Sequence, residues 1–179
     1  MDVACNDGFV SEYLKREGNT VIGIEVNEEL ALIAKKRIDE VIVQDIEQAW
    51  QVGSGEFDVV HMGYVLEHIF DYNFVLSEAS RVLKEGGILV ISTPNFAYIL
   101  HRLELLIGKQ PRWYRRVRVI RGWSKGWLRE VLQKHGFRPV KWVGTFSTYV
   151  PIITPLAKYF PTLSSTLICK SIKEGARNK

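Results

Sequence analysis

Cysteine is nearly absent: Cys5 and Cys169 are the two in 179 residues, and they stand far apart, outside any C-x-x-C or zinc-ligand spacing. That excludes a disulfide framework and a structural zinc site, and it suits a reducing compartment. Long apolar runs are missing too. One of the longest, "YVPIITPLA" at 149–157, is broken by prolines and falls well short of the roughly 20 residues a membrane span needs. The first residues include the acid Asp2 and show neither the basic start nor the apolar stretch of a secretory leader, so a cytoplasmic location is expected. No repeat, low-complexity tract or linker divides the chain, which predicts a single domain over 1–179. With 46% hydrophobic and 25% charged residues it buries a sizeable core and is no candidate for disorder.

One segment lacks acids. Between 101 and 129, nine basic residues (Arg102, Lys109, Arg112, Arg115, Arg116, Arg118, Arg121, Lys125 and Arg129) face one acid, Glu104. The segment is therefore +8, and the rest of the chain must carry −4 to give the net +4. A local field of this kind draws anions: phosphates, carboxylates, nucleic acid or an anionic membrane surface. A solvated surface loop has the same composition.

What is present is alternation between two hydrophobic periods. "TVIGIEV" (20–26), "VIV" (41–43), "FDVVHM" (57–62) and "GGILVIST" (86–93) read as strands. Helices are predicted over 8–18, 27–40, 73–84, 96–108 and 124–136, with Asn27 and Ser124 as N-caps and Gly18 and Gly136 as stops. "FRPVKWVGTF" and "STLICKSIK" read as two final strands, and Pro139 places the first of them at an edge. Buried strands separated by amphipathic helices predict an α/β, Rossmann-like, mainly parallel sheet covered on both faces.

The opening, "MDVACNDGFV", runs from an acid through small residues into a helix that starts near Gly8. Such a turn lets the backbone approach a ligand, with the free N–H groups of the helix facing a phosphate or carboxylate. Glu25, at the end of the second strand, stands where a carboxylate accepts hydrogen bonds from ribose hydroxyls.

In its ordered motifs the chain resembles the class I S-adenosylmethionine-dependent methyltransferases, in particular the small-molecule branch that includes the ubiquinone-pathway O-methyltransferases. "DVACNDG" stands where that family writes an acid followed by alternating glycines, with Ala4 and Asn6 in two glycine positions. "GIEVNE" matches the acidic end of strand two, "QDIE" the loop whose Asp faces the adenine, "FDVVHMGYVLEH" strand four, and "VLKEGGILVISTPN" strand five. "LREVLQKHGF" and "FPTLSSTLICKSIK" resemble the last helix and the last strand, which in this family is antiparallel. The resemblance implies S-adenosylmethionine as cofactor, held by Asp2, Ala4, Cys5, Asn6, Gly8, Glu25, Val26, Asp45, Ile46, Met62 and Gly63. The family's first strand begins several residues before the acid. Only Met1 precedes Asp2 here, which predicts a first strand cut to a stub or a chain that begins further upstream.

Methyl transfer from a sulfonium is a direct displacement, so a base is needed only for acceptors that hold their proton. His68, in "LEH" beyond strand four, is the candidate catalytic residue for that step, although a helix cap would use it equally well. His61 is expected to be buried or to line the pocket. Cys5, at a helix N-terminus where a thiolate is favoured, is expected on the pocket floor rather than as a nucleophile. Some related quinone enzymes bind a divalent metal through E-x-x-E-H at this point. Tyr64 takes the first position here, so no metal is expected. Residues 94–122 fall where the family recognises its acceptor, predicted to be a small anionic or lipophilic molecule methylated on oxygen or nitrogen. Trp113, Tyr114 and Trp123 among the arginines suit an aromatic acceptor, RNA or, through 102–129, an anionic membrane surface. The alternatives are an RNA methyltransferase and a non-catalytic domain that keeps the fold. A nicotinamide dehydrogenase fits poorly, because G-x-G-x-x-G is absent.

Overall fold

The computed structural model describes residues 1–111, 119–146, 157 and 159–175. The expectations placed on Trp113, Tyr114 and the arginines between 112 and 118 lie outside these residues, as does most of "YVPIITPLAKYF". Seven strands, β1 (Asp2–Val3), β2 (Ile22–Glu25), β3 (Glu40–Val43), β4 (Phe57–Gly63), β5 (Leu83–Pro94), β6 (Phe137–Thr145) and β7 (Thr166–Lys173), form one sheet in the order β3-β2-β1-β4-β5-β7-β6. The first five run parallel, and β7 lies antiparallel between β5 and β6. This is the Rossmann-like sheet with an antiparallel final strand. The strand order reverses between β1 and β4, and that reversal opens a crevice at the carboxyl ends of the parallel strands.

The helices are α1 (Phe9–Arg16), α2 (Glu28–Ala34), α3 (Tyr72–Val82), α4 (Ile99–Leu106) and α5 (Lys125–Lys134). Side-chain oxygens of Asn27, Asp71 and Ser124 cap α2, α3 and α5 by accepting the N–H groups of Leu30, Phe74 and Trp127. The core separates into two clusters. Ala31 and Ala34 of α2 pack with Cys5, Val21, Ile38 and Val41, whereas α3 and α5 pack on the cluster that includes Val3, Ile24, Val60 and Leu89. Val41 belongs to the first, and its neighbour Ile42 packs against the second, so the clusters sit on opposite faces of the sheet.

Three element boundaries differ from the periodic reading. The helix expected over 27–40 is regular only to Ala34 and then tightens, with Lys36 and Arg37 donating to the carbonyls three residues back. The helix expected over 73–84 stops at Val82, because Leu83 is fully buried in the sheet and its carbonyl accepts Lys173 Nζ at 2.8 Å. β5 therefore starts three residues before the "GGILVIST" segment, across a register shift opposite Phe57 and Val59. Pro139 sits on the outermost strand, where the β6–β7 register also shifts.

Glu78 and Arg81 of α3 fix the loop after β3. Glu78 Oε2 accepts the Trp50 N–H at 2.8 Å, and the Arg81 guanidinium donates to Glu78 and to the carbonyls of Trp50 and Val52. That clamp holds the loop carrying Asp45 and Ile46 against the end of the sheet.

Candidate functional site

The turn after β1 alternates in handedness. Ala4, Asn6 and Gly8 have φ of 56°, 55° and 76°, the left-handed region that L-residues enter at a cost of roughly 1–2 kcal/mol each. Glu25 stabilises this conformation from β2. Its Oε2 accepts the Asn6 N–H and its Oε1 the Asn27 N–H, both at 2.9 Å, while the Cys5 N–H donates to the Ile24 carbonyl. Asn6 Oδ1 accepts the Asp7 N–H at 2.7 Å, a local bond that eases a non-glycine residue into this region. At Gly8 a side chain is disfavoured twice: φ is 76°, and a Cβ would lie 3.0 Å from Ala34 Cα, so α2 would have to give way.

A second turn follows β4. Tyr64 also has a positive φ, 59°, and is held by its N–H to the Ser92 carbonyl at 2.9 Å and its hydroxyl to Thr166 Oγ1 at 2.8 Å. Gly63 is tight beside it: a Cβ there would approach His61 Cε1 to 3.0 Å.

These turns enclose a cavity of about 420 Å³ at the carboxyl ends of β1, β2 and β4. Of the twelve residues expected at the site, Ala4, Asn6, Glu25, Val26, Asp45, Ile46, Gly63 and His68 line it. Tyr64, Val65 and Ile69 complete the lining. Sequence reasoning names Tyr64 only as the residue in the first position of E-x-x-E-H and does not name Val65 or Ile69; the left-handed turn at Tyr64 carries no glycine or asparagine to announce it.

Asp2, Cys5, Gly8 and Met62 do not line the cavity and stand behind its wall. Asp2 is buried, with one carboxylate oxygen accepting the Ser11 hydroxyl and the other paired with His61 Nδ1 at 2.7 Å. It braces β1 against α1 and β4, so the three carboxylates at 2, 25 and 45 reduce to two at the cavity. The Cys5 thiol is pushed up to about 12 by burial and by the carboxylates of Asp2 and Glu25, the reverse of the thiolate-favouring setting its helix N-terminus suggested. Met62 is core.

His61 lines a different hollow, of about 530 Å³, at the opposite end of the sheet beside Met1, Ile22 and Val59. It is the space left between β2 and β4 where β1, two residues long, does not separate them. Ligands of open parallel sheets bind at the carboxyl ends, where the smaller cavity lies.

Beyond β4, Glu67 is buried, its Oε2 accepting the Thr93 hydroxyl at 3.1 Å and its Oε1 without a partner among the described residues. Burial pushes its carboxyl above the usual range. The Glu67 carbonyl accepts the N–H groups of Ile120 and Arg121, which brings the 119–123 segment alongside the cavity. There Trp123 stacks on Trp127 at 4.4 Å, Tyr72 meets both edge-on, and the Arg121 guanidinium lies 4.3 Å from the centre of the Tyr72 ring. Among the described residues no three His, Cys, Asp or Glu side chains gather in metal-binding positions.

A family described as a methyltransferase domain matches residues 1–91, just over half the chain. Two similar curated proteins are ubiquinone biosynthesis O-methyltransferases. The human mitochondrial one is 32% identical over 119 residues, covering 62% of this chain and 32% of its own. The one from Escherichia coli O7:K1 is 31% identical over 101 residues, covering 53% and 42%. The chain thus spans less than half the length of these relatives. Among solved structures, an S-adenosylmethionine-dependent methyltransferase from Thermotoga maritima superposes with a TM-score of 0.76 at 23% identity, over 97% of this chain and 80% of that one. Magnesium protoporphyrin IX methyltransferase from Synechocystis PCC 6803, solved with S-adenosylhomocysteine bound, gives 0.68 at 19% identity, over 97% and 73%. At these identities the likeness shows the fold.

Proposed function

The chain belongs to the class I S-adenosylmethionine-dependent methyltransferases, and on that premise we propose that it methylates a small lipophilic or anionic acceptor, most readily on oxygen. The names of the ubiquinone O-methyltransferase relatives support oxygen and a lipophilic acceptor. The observation that carries the reading is the pairing of Glu25 and Asp45 at one cavity whose walls are otherwise mostly small or apolar. That pair of acceptors fits the hydroxyl and amine donors of S-adenosylmethionine. Glu25, fixed by its two backbone bonds, would offer its remaining lone pairs to the ribose hydroxyls, Asp45 would accept from the adenine amine, and Val26, Ile46 and Ile69 would supply apolar surface for a flat base. Ala4 and Gly63 leave room for the methionine portion.

When bound, the cofactor supplies an electrophilic methyl group on a sulfonium. The protein's own contribution is mainly alignment, because holding two reactants in line replaces a bimolecular encounter. His68, exposed at the cavity rim, takes the acceptor's proton where the acceptor retains one. Arg121 and Tyr72, held together beside the cavity, give an acceptor an aromatic edge and a cation.

Isothermal titration of the folded chain with S-adenosylmethionine and S-adenosylhomocysteine tests this reading. Saturable binding of both, weakened about tenfold or more in Glu25→Ala through loss of a charged hydrogen-bond acceptor, is expected. A folded chain that binds neither overturns it.

A further inference from the structure

Arg121 is a cation without a counter-charge. All twenty Asp and Glu side chains of the chain belong to described residues, and none of them forms an ion pair with it. The residue is nonetheless half-buried and fixed in place. Its backbone N–H donates to the Glu67 carbonyl, its Nη1 donates to the Ile69 carbonyl at 3.1 Å, and its Cζ lies 4.3 Å from the centre of the Tyr72 ring and 5.9 Å from that of Trp123. The Nε and Nη2 groups make no bond to a described residue. Two positions on, the Trp123 indole N–H is fully buried and also without a partner among the described residues. Ile69 lines the cavity and follows His68, so this donor-rich corner sits on the cavity edge that carries the candidate base. A partly desolvated guanidinium held in one position with its donors unspent is set up to receive an anion.

We propose that Arg121 selects the methyl acceptor, and that the acceptor carries a carboxylate, received by the Nε–Nη2 edge of the guanidinium. The proposal rests on the methyltransferase reading of the cavity and chooses the anionic acceptor over the neutral one. With the face of the guanidinium on Tyr72 and Nη1 on Ile69, the Nε–Nη2 edge is the pair of parallel donors left, and two carboxylate oxygens match it in plane. A single guanidinium balances the single charge of a carboxylate, whereas a phosphate ester brings about −1.5 to −2 near neutral pH. Glu67 does not oppose an anion here. Its carboxyl accepts the Thr93 hydroxyl, burial favours its neutral form, and His68 rather than Arg121 is the charge that acts on it. A neutral acceptor would desolvate the guanidinium and leave its donors unpaired, and that cost is the basis of discrimination. With the carboxylate on Arg121, the acceptor is held at the edge where His68 takes the proton from its hydroxyl.

Benzoate is the probe, with benzamide as its neutral counterpart of nearly the same shape. Each is titrated at fixed ionic strength into the full chain saturated with S-adenosylhomocysteine and followed by tryptophan fluorescence, because Trp123 lies against Arg121 and stacks on Trp127. The expected result is saturable benzoate binding, with benzamide weaker by about tenfold or more. Arg121→Gln should weaken benzoate by about tenfold or more and leave benzamide unchanged, and Arg121→Lys, which keeps the charge and loses the fork, should fall between. Circular dichroism checks that the variants fold, and the comparison of benzoate with benzamide on the wild-type chain needs no variant. Equal affinity for the two probes, or no saturable benzoate binding, overturns the proposal. So does an Arg121→Gln chain that binds benzoate as the wild type does, which would leave Arg121 as a structural tie between Ile69 and Tyr72. Phenyl phosphate bound more tightly than benzoate overturns the choice of carboxylate. Failure of S-adenosylhomocysteine itself to bind removes the reading of the cavity and this proposal with it, whereas its binding without benzoate removes the acceptor class alone.

Discussion

Replacing Ala4 by glycine reverses the usual sign of that substitution. In an ordinary strand or helix Ala→Gly costs about 0.5–1 kcal/mol through unfolded-state entropy, and loss of a half-buried methyl adds roughly 0.4 kcal/mol. At Ala4, with φ of 56°, glycine also releases about 1.5 kcal/mol of left-handed strain. The sum is a stabilisation of about 0.4 kcal/mol instead of a loss of about 1.1 kcal/mol. For a domain of this size about 1 kcal/mol moves Tm by 2–4 °C, so thermal denaturation should place Ala4→Gly about 1 °C above the wild type. Ala4→Val, with a β-branched side chain in the same conformation, should melt several degrees lower, and Asn6→Gly should be near neutral because it also loses the Asn6 bond to the Asp7 N–H. A fall of about 3 °C in Ala4→Gly refutes the claim that this turn is strained and held in place by Glu25.

Three further outcomes are expected. His68→Ala should lower kcat by about 10²–10⁴ for an acceptor that keeps its proton while leaving S-adenosylhomocysteine affinity within a few fold; an unchanged kcat removes His68 from proton transfer. Because burial raises the Glu67 carboxyl above its unfolded value, its contribution to stability is full below the ordinary carboxylate pKa and is lost as pH rises through the raised value. Glu67→Gln removes that dependence, so its Tm relative to wild type should rise between about pH 4 and pH 8, and a pH-independent difference contradicts the assignment. The thiols of Cys5 and Cys169, pushed up to about 12 and about 11, should resist iodoacetamide in the native chain at pH 8 and react on unfolding; rapid native labelling of Cys5 would show that it is reachable after all.

The alternation of buried strands and capped helices was readable because each element carries its own period and its own stop. The antiparallel last strand came from the resemblance rather than the period, and the edge position of β6 from Pro139, which cannot donate to a neighbour. The boundary at Leu83 was not readable: "SRVLK" continues a helical pattern, and only the burial of Leu83 beside β4 pulls it into the sheet. The candidate site divides the same way. Glu25 is named by its position at a strand end and Asp45 by the resemblance of "QDIE", whereas Asp2, equally well placed in sequence, spends its carboxylate on Ser11 and His61. That pairing exists only because β4 lies next to β1, a neighbourhood with 59 residues of separation behind it.

Among the described residues three non-glycine positions have a positive φ, Ala4, Asn6 and Tyr64, and all three line the same cavity. Each sits where a parallel strand ends and the chain must leave the sheet sharply, and two of the three are held by bonds from a neighbouring strand or the segment beside it: Asn6 from Glu25, Tyr64 from Ser92 and Thr166. Strain of this kind persists only where the surroundings over-determine it, and its confinement to one cavity is an argument for function independent of any family likeness. The likeness to methyltransferases comes from the order of motifs along the chain and the order of strands in the sheet. The strain comes from backbone angles that neither of those dictates. Glycine would satisfy the turn geometry at lower cost, so the side chains retained at 4, 6 and 64 are placed to shape the cavity they face.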